Sequence, residues 1–484
     1  MELSLDTFSD LKVEEYSLNS VEIRSHIAEL IKDDGILLPM DSRVRKYYSE
    51  GNPFVWINRY GVYNRVDTLL RVLNGVGYYG LNKDMFRVSQ IEKDIRNVRN
   101  LEISNSDEDI NAILARIEYN LTKAYFRYSA GQYFGFVNPD YLYNNLESYE
   151  VDSVTSRFRQ LCDLNVIRPD SKFYSRAVQQ AFTDSVSEFL SQVVPQGNLV
   201  DAMLSRLNKS DLSKSQRLKT LCNIERCRWR MRGISNIGTY KKYVVVNIPS
   251  FELRAVDNGN VQAMNICCGE INFKTPLLSS WIKRMDVNPQ WIVPKSISKG
   301  FLHNYSYMHK MGMFVLDKKK GKLPPEQVSY DKVMANEQYI VQAGGKKNSL
   351  GRIIFRFDNN FSVFLHDTSS PWLFKRPYRA VSHGCIRVEK PLDLALFMLG
   401  DRADKMEERL KYSMSVDFVN DVDSMAKRNI DRKRLVSTLR VDPPIPLYIT
   451  YYTIFYDKEG TLEDLDDVYG YDDVLIKKML PFIE

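Results

Sequence analysis

Between Phe364 and Glu389 the chain reads FLHDTSSPWLFKRPYRAVSHGCIRVE, and two of its residues can do covalent chemistry together: Cys385 as nucleophile and His366 as base. A thiol attacks only as thiolate, and a neighbouring imidazole can take its proton. Gly384 lets the backbone turn tightly, so the Cys385 amide and its neighbours can point at a developing oxyanion. A helix expected shortly after the turn adds a small positive field. His366 closes a strand, which places it on a rigid element facing the loop that carries Cys385. Histidine beside glycine and cysteine is also the composition of an ordinary turn. Residue chemistry alone leaves both readings open.

The elements that must hold this pair are strands. YVVVNI, from Tyr243 to Ile248, is β-branched and ends at Pro249. FELRAV and VQAMNICC flank Asp257, Asn258 and Gly259, which reads as a hairpin. RIIFRF and FSVFLH, split by Asp358, Asn359 and Asn360, make another. PLDLALFMLG is a helix, with Pro391 in its first turn and Gly400 at its end. The tail LYITYYTIFYDKEG is a strand followed by a turn. Upstream, from about Ser20 to Leu146, the period is helical: Leu69, Leu70 and Leu73 share a face, as do Ile110, Ile113, Leu114 and Ile117. Gly51, Asn52 and Pro53 interrupt it. A second helical region is expected from Val151, with Val154, Phe158 and Leu161 on one face. Pro195 to Asn198 form a loop before a helix carrying Met203 and Leu207. The stretch from about Ser296 to Ser349, with Lys318 to Lys320, Pro324-Pro325 and Gly344-Gly345, reads as an insertion between strands. It is either a solvated elaboration or a lid.

At 484 residues the chain should hold roughly two to four domains. With 44% hydrophobic and 12% aromatic residues it can bury enough apolar surface to offset its ordering entropy. A net charge of +6 is small for the length, and no arginine-rich stripe with interleaved aromatics points to nucleic acid. No run approaches the ~18 apolar residues that span a bilayer. MELSLDTFSD has neither the basic start nor the apolar core of a secretory signal, so an exported protein would carry its signal outside this sequence. Six cysteines are too few for a disulfide scaffold. His303 and His309 stand six apart without the acidic or cysteine partners that a metal site needs, and neither a metal nor a cofactor is expected.

Ser382-His383-Gly384-Cys385, followed by Ile386-Arg387 and preceded by His366 across fifteen residues, resembles the motif of the L,D-transpeptidases. NPQWIVPKSI from Asn288, NSLGRIIF from Asn348, the HDT at His366 and the helix after SHGCIRVEKP resemble flanking blocks of that family's large multi-domain branch. The region from Arg43 to Met85 is similar to its helical scaffold, and ERCRWRM fits its linker. The likeness runs from about Arg43 to Tyr471. It implies an α+β multi-domain fold: an N-terminal extension (1–19), a helical scaffold (20–150), and a helical, degenerate peptidoglycan-binding-like module (151–230). A β-rich catalytic domain (238–484) follows, with its insertion at about 296–349 and a C-terminal strand and tail at 440–484. AVQQAF at Ala177 matches the usual module only in part, so a structural spacer is an equal reading.

For the site, the likeness implies Cys385 as nucleophile, His366 as general base, and the backbone carbonyl of Asp367 as third member. It implies an oxyanion hole from the amides of His383, Gly384 and Cys385. Arg387 would order the site or engage a substrate carboxylate, His383 would be structural or substrate-positioning, and Ser382, Trp372 and Phe364 would line the pocket. The implied reaction takes an acyl group from a peptidoglycan tetrapeptide stem, releases D-alanine, and passes the acyl to the side-chain amine of another stem as a 3-3 cross-link. The setting is extracytoplasmic, and periplasmic where there is an outer membrane. Partners are stem peptides and, beyond them, other cell-wall enzymes. Alternatives on the same Cys/His pair are an L,D-carboxypeptidase or peptidoglycan–protein hydrolase. An inactive wall-binding scaffold is the non-enzyme alternative.

Overall fold

The computed structural model describes residues 17–34, 38–103, 109–150, 156–234, 237–417 and 430–483. The helical half is built around one long helix. Helix α1 (Ser20–Asp33) is capped by Asn19 and packs on α2 (Ile110–Phe134), which is buried on nearly every face. A helix buried all round must satisfy its polar residues internally. Glu118 accepts from the Val55 and Trp56 amides and from Tyr48 Oη at 2.6 Å, Lys123 pairs with Asp34, and Arg127 grips Asp41 at 2.7 Å. Helix α3 (Lys214–Arg228) starts at a Ser213/Gln216 capping box. It joins the two halves: Asn223 Oδ1 accepts from the Thr453 amide at 2.9 Å, and Arg226 pairs with Asp472 at 2.6 Å.

The strand half is a closed sheet. In chain order its strands are β1 (Lys242–Asn247), β2 (Glu252–Asp257), β3 (Asn260–Gly269), β4 (Leu277–Val287), then, after the insertion strands β5 (Trp291–Ile292), β6 (Met313–Asp317), β7 (Gly321–Leu323) and β8 (Gln338–Gln342), β9 (Ile353–Phe357), β10 (Leu365–His366), β11 (Ala380–Ser382), β12 (Ile386–Val388) and β13 (Thr438–Thr450). Around the sheet the order is β9-β10-β12-β3-β2-β1-β13-β4, and β4 returns to β9, while β11 lies beside β3. The β2–β3 hairpin turns through Asn258 and Gly259, both at positive φ, as a two-residue loop of this sequence requires. Helix α4 (Pro391–Leu399) follows β12 and ends at Gly400. Helix α5 (Tyr471–Met479) closes the chain against α3.

One apolar cluster runs unbroken from Ile23 to Ile483 through both halves. The insertion has a cluster of its own, Val293, Met308, Met313, Val333 and Ile340, under the four-stranded sheet β5-β8-β6-β7. It is a small folded unit rather than a solvated loop. Where the helix expected from Val151 enters the described residues, Ser156–Phe158 is a strand. Ser148–Glu150 and Ser156–Phe158 pair as a hairpin, and the Leu161 carbonyl accepts from the Leu277 amide at the edge of β4. Just beyond it, Cys162 and Asp163 pair parallel with Leu277 and Leu278, so the edge of β4 holds this part of the chain extended. Val151 and Val154 themselves, like residues 1–16 of the N-terminal extension, lie outside the described residues.

Candidate active site

Three strands fix His366. β10 runs antiparallel to β9 and parallel to β12, so His366 stands opposite Ile354 on one side and Arg387 on the other. Arg387 in turn faces Cys267 on β3. Cys385 is the residue entering β12, where the Ile386 amide donates to the Phe364 carbonyl at 2.9 Å. Sheet register therefore gathers Cys385, Phe364, His366 and Arg387 at neighbouring positions.

His366 Nδ1 lies 2.5 Å from the backbone oxygen of Asp367. A carbonyl can only accept, so the proton sits on Nδ1 and Nε2 keeps its lone pair. The side chain is buried, and burial together with the Arg387 charge brings its pKa down to about 4, against the opposing pull of the Asp367 and Leu350 carbonyls. At neutral pH the ring is an uncharged base. Burial pushes the Cys385 thiol up, with the Phe364 amide and the Arg387 charge opposing. The Ser362 carbonyl, at 4.0 Å, is a weak partner of its sulfur. No hydrogen bond joins Cys385 to His366 among the described residues. Both side chains are therefore uncharged at neutral pH.

The turn before Cys385 is stapled from two sides. Gly384 has φ 106, a conformation that glycine alone takes without strain. Ser382 Oγ donates to the Cys385 carbonyl at 2.5 Å and accepts from the Gly384 amide at 3.1 Å. The Gly384 amide, expected among the oxyanion donors, is thus already engaged, whereas no acceptor among the described residues takes the His383 or Cys385 amide. Ser382 is buried, and both of its bonds hold the loop. From behind, Thr275 Oγ1 donates to the Gly384 carbonyl and accepts from the Gly269 amide, both at 2.8 Å. Tyr469 Oη donates to the Gly269 carbonyl at 2.7 Å and accepts from the Thr275 amide. Nothing in the local sequence marks Thr275 or Tyr469; only the fold brings them here.

Arg387 is half-buried. Its Nε is buried without a hydrogen-bond partner, and burial brings its pKa down against the pull of the Cys267 and Cys385 thiols. Among the described residues no carboxylate pairs with it. His383 is exposed and packs on Phe273 at 4.6 Å between centroids. Phe364 contributes its backbone to the site, while its ring lies under Arg356 at 5.0 Å. Trp372 stands on the surface, 54% exposed, with Arg376 stacked over it at 4.6 Å. No hydrogen bond or ring contact among the described residues ties it to Cys385 or His366. Among the described residues, no group of three or more His, Cys, Asp or Glu could hold a metal ion, and no helix is long and apolar enough to cross a membrane.

A closed barrel that presents histidine and cysteine from adjacent strands, behind a helical support, defines a two-part catalytic architecture. Residues 241–407 match the model of the L,D-transpeptidase catalytic domain and residues 42–207 that of a scaffold domain, so the chain carries both. The scaffold match runs through 151–207, the stretch read from sequence as a separate module. A Haemophilus influenzae protein named "Putative L,D-transpeptidase" is 27% identical over 235 residues. That match spans 47% of this chain and 44% of the relative, so this chain covers less than half the length of the curated relative it matches. An L,D-transpeptidase from Mycobacterium smegmatis, of known structure, aligns at 14% identity over 46% of this chain and 65% of that one. Its TM-score is 0.20, too low to bear on the fold.

Proposed function

We propose that the chain is a peptidoglycan L,D-transpeptidase that works through a thioester on Cys385. The observation that carries this reading is the bond from His366 Nδ1 to the Asp367 carbonyl, which leaves Nε2 as the free base on the strand beside the cysteine.

The donor is a tetrapeptide stem. Nε2 takes the Cys385 proton as sulfur attacks the carbonyl of the third residue. The oxyanion is met by the His383 and Cys385 amides. Collapse breaks the bond to the terminal D-alanine, whose nitrogen leaves with the proton from the imidazolium. The side-chain amine of a second stem then attacks the thioester, gives its proton to Nε2, and frees the thiol with a 3-3 cross-link formed. Arg387 takes a stem carboxylate. The substrate places the reaction outside the cytoplasm, in the periplasm of a cell with an outer membrane. Residues 20–230 act as support, and the insertion helps to exclude water from the thioester.

The test is mass spectrometry of products from purified tetrapeptide stems. Cross-linked dimers are expected, with much less product from pentapeptide stems. Trimmed tripeptide alone at high acceptor concentration would make water the acceptor and the protein a carboxypeptidase. Wall binding without either product would make it a scaffold.

A further inference from the structure

The Asp367 side chain does something that its backbone role does not require. Its Oδ2 accepts from the Arg352 amide and its Oδ1 from the Thr368 amide, both at 2.7 Å. The Asp367 amide donates to the Ile353 carbonyl at 2.9 Å. Leu350, Gly351 and Arg352 are the residues by which the chain leaves the insertion and enters β9. Gly351 has φ +65, and a Cβ there would come within 2.4 Å of the Asp367 carboxyl carbon. The backbone comes this close only because residue 351 has no side chain. The Leu350 carbonyl also faces the His366 ring. The other end of the same root is tied down as well. Asn348 Nδ2 donates to the Pro289 carbonyl at 3.1 Å, and Arg352 reaches Asn288 Oδ1 at 2.9 Å. The insertion's folded core therefore ends in a short segment, bonded at Asn348 and Arg352, that lies against the strand carrying His366.

We propose that the Asp367 carboxylate is a positioning residue that fastens the root of the insertion to His366, so that the seating of the insertion sets the aim of the catalytic base. This rests on the reading of His366 as base given above. Both contacts of the carboxylate are to N–H donors. An asparagine can satisfy one of them and must turn its own N–H₂ toward the other. The Asp367 carbonyl, which fixes the ring through Nδ1, belongs to the same residue and shifts with it.

The experiment uses the full chain with tetrapeptide stems, and rates are expressed per Cys385 thiol titrated, so that misfolded protein drops out. Asp367→Asn should lower kcat by ~10²-fold with KM nearly unchanged, the scale expected for a reacting group displaced by about an ångström. ¹⁵N-histidine spectra should show the His366 ring passing from one tautomer to a mixture. A second variant replaces 294–341 by a short glycine-serine bridge. If the insertion acts through Asp367, Asp367→Asn in that background should cost far less than in the full chain. Should the variant not fold, the kcat split and the tautomer decide alone. A wild-type kcat and single tautomer in Asp367→Asn would overturn the proposal, as would an equal loss with and without the insertion. An inactive parent chain with no thioester on Cys385 would instead overturn the reading on which it rests.

Discussion

At the scale of single residues, Cys385 and His366 rest as a neutral pair, and pH dependence follows from that. The His366 pKa is about 4 in the folded chain, below the ordinary histidine value, so the base is available well into the acid range. The acid limb of kcat/KM should fall near that value rather than near neutrality, as a pH–rate profile of the purified protein would show. Linkage has the matching sign. Between the folded and unfolded values the native state binds fewer protons, so this residue's stability contribution is full above the unfolded value and is lost as pH falls through the folded one. His366→Gln should flatten that part of a urea-midpoint-versus-pH curve and slow acylation by ~10²-fold or more. Because burial raises the Cys385 thiol, its alkylation by iodoacetamide should be slow at neutral pH and accelerate in alkali. Cys385→Ala should abolish turnover and leave the melting temperature nearly unchanged.

At the scale of elements, the turn before Cys385 depends on a network the linear sequence hides. Thr275→Val removes one donor and one acceptor from a buried pair of backbone groups. It should cost about 1–3 kcal/mol in denaturant unfolding and lower the acylation rate, because the Gly384 carbonyl loses its anchor. The strands and turns around the site were legible: alternation from Tyr243 onward, Asn258-Gly259 at the hairpin, Pro391 and Gly400 bounding a helix. The barrel's closure through β4 and β9 was not, because pairing between strands so far apart leaves no local pattern. Phe158, expected on a helix face, stands on a short strand instead, because cross-strand pairing with Ser148 is not visible in the spacing of apolar residues. The motif residues Cys385 and His366 could be named from sequence. Gly384 as an engaged amide, Ser382 as a staple and the Asp367 carboxylate as an anchor could not, since hydrogen-bond partners are set by the tertiary fold.

At the scale of the whole molecule, scaffold and barrel share one apolar core and are bolted together by α3 and by buried polar groups. Within the scaffold Glu118 is fully buried, and burial raises its pKa to about 7 against four hydrogen bonds that lower it. A carboxyl held above its unfolded value favours the fold most at acid pH, and that contribution fades as pH rises toward 7. Glu118→Gln should remove this slope from the stability curve. Glu118→Ala leaves the buried Val55 and Trp56 amides without their acceptor, and should cost about 3 kcal/mol or more in thermal or urea unfolding.

The most direct measurement is to trap the acyl-enzyme and map it. The full chain is incubated with a tetrapeptide stem, and separately with a carbapenem, whose strained ring is an acyl donor to L,D-transpeptidases. It is then quenched in acid and digested. If Cys385 is the nucleophile, one acyl group per chain appears on the peptide that contains it, and Cys385→Ala carries none. An adduct on any other cysteine, or none with either donor while the protein remains folded, would contradict it.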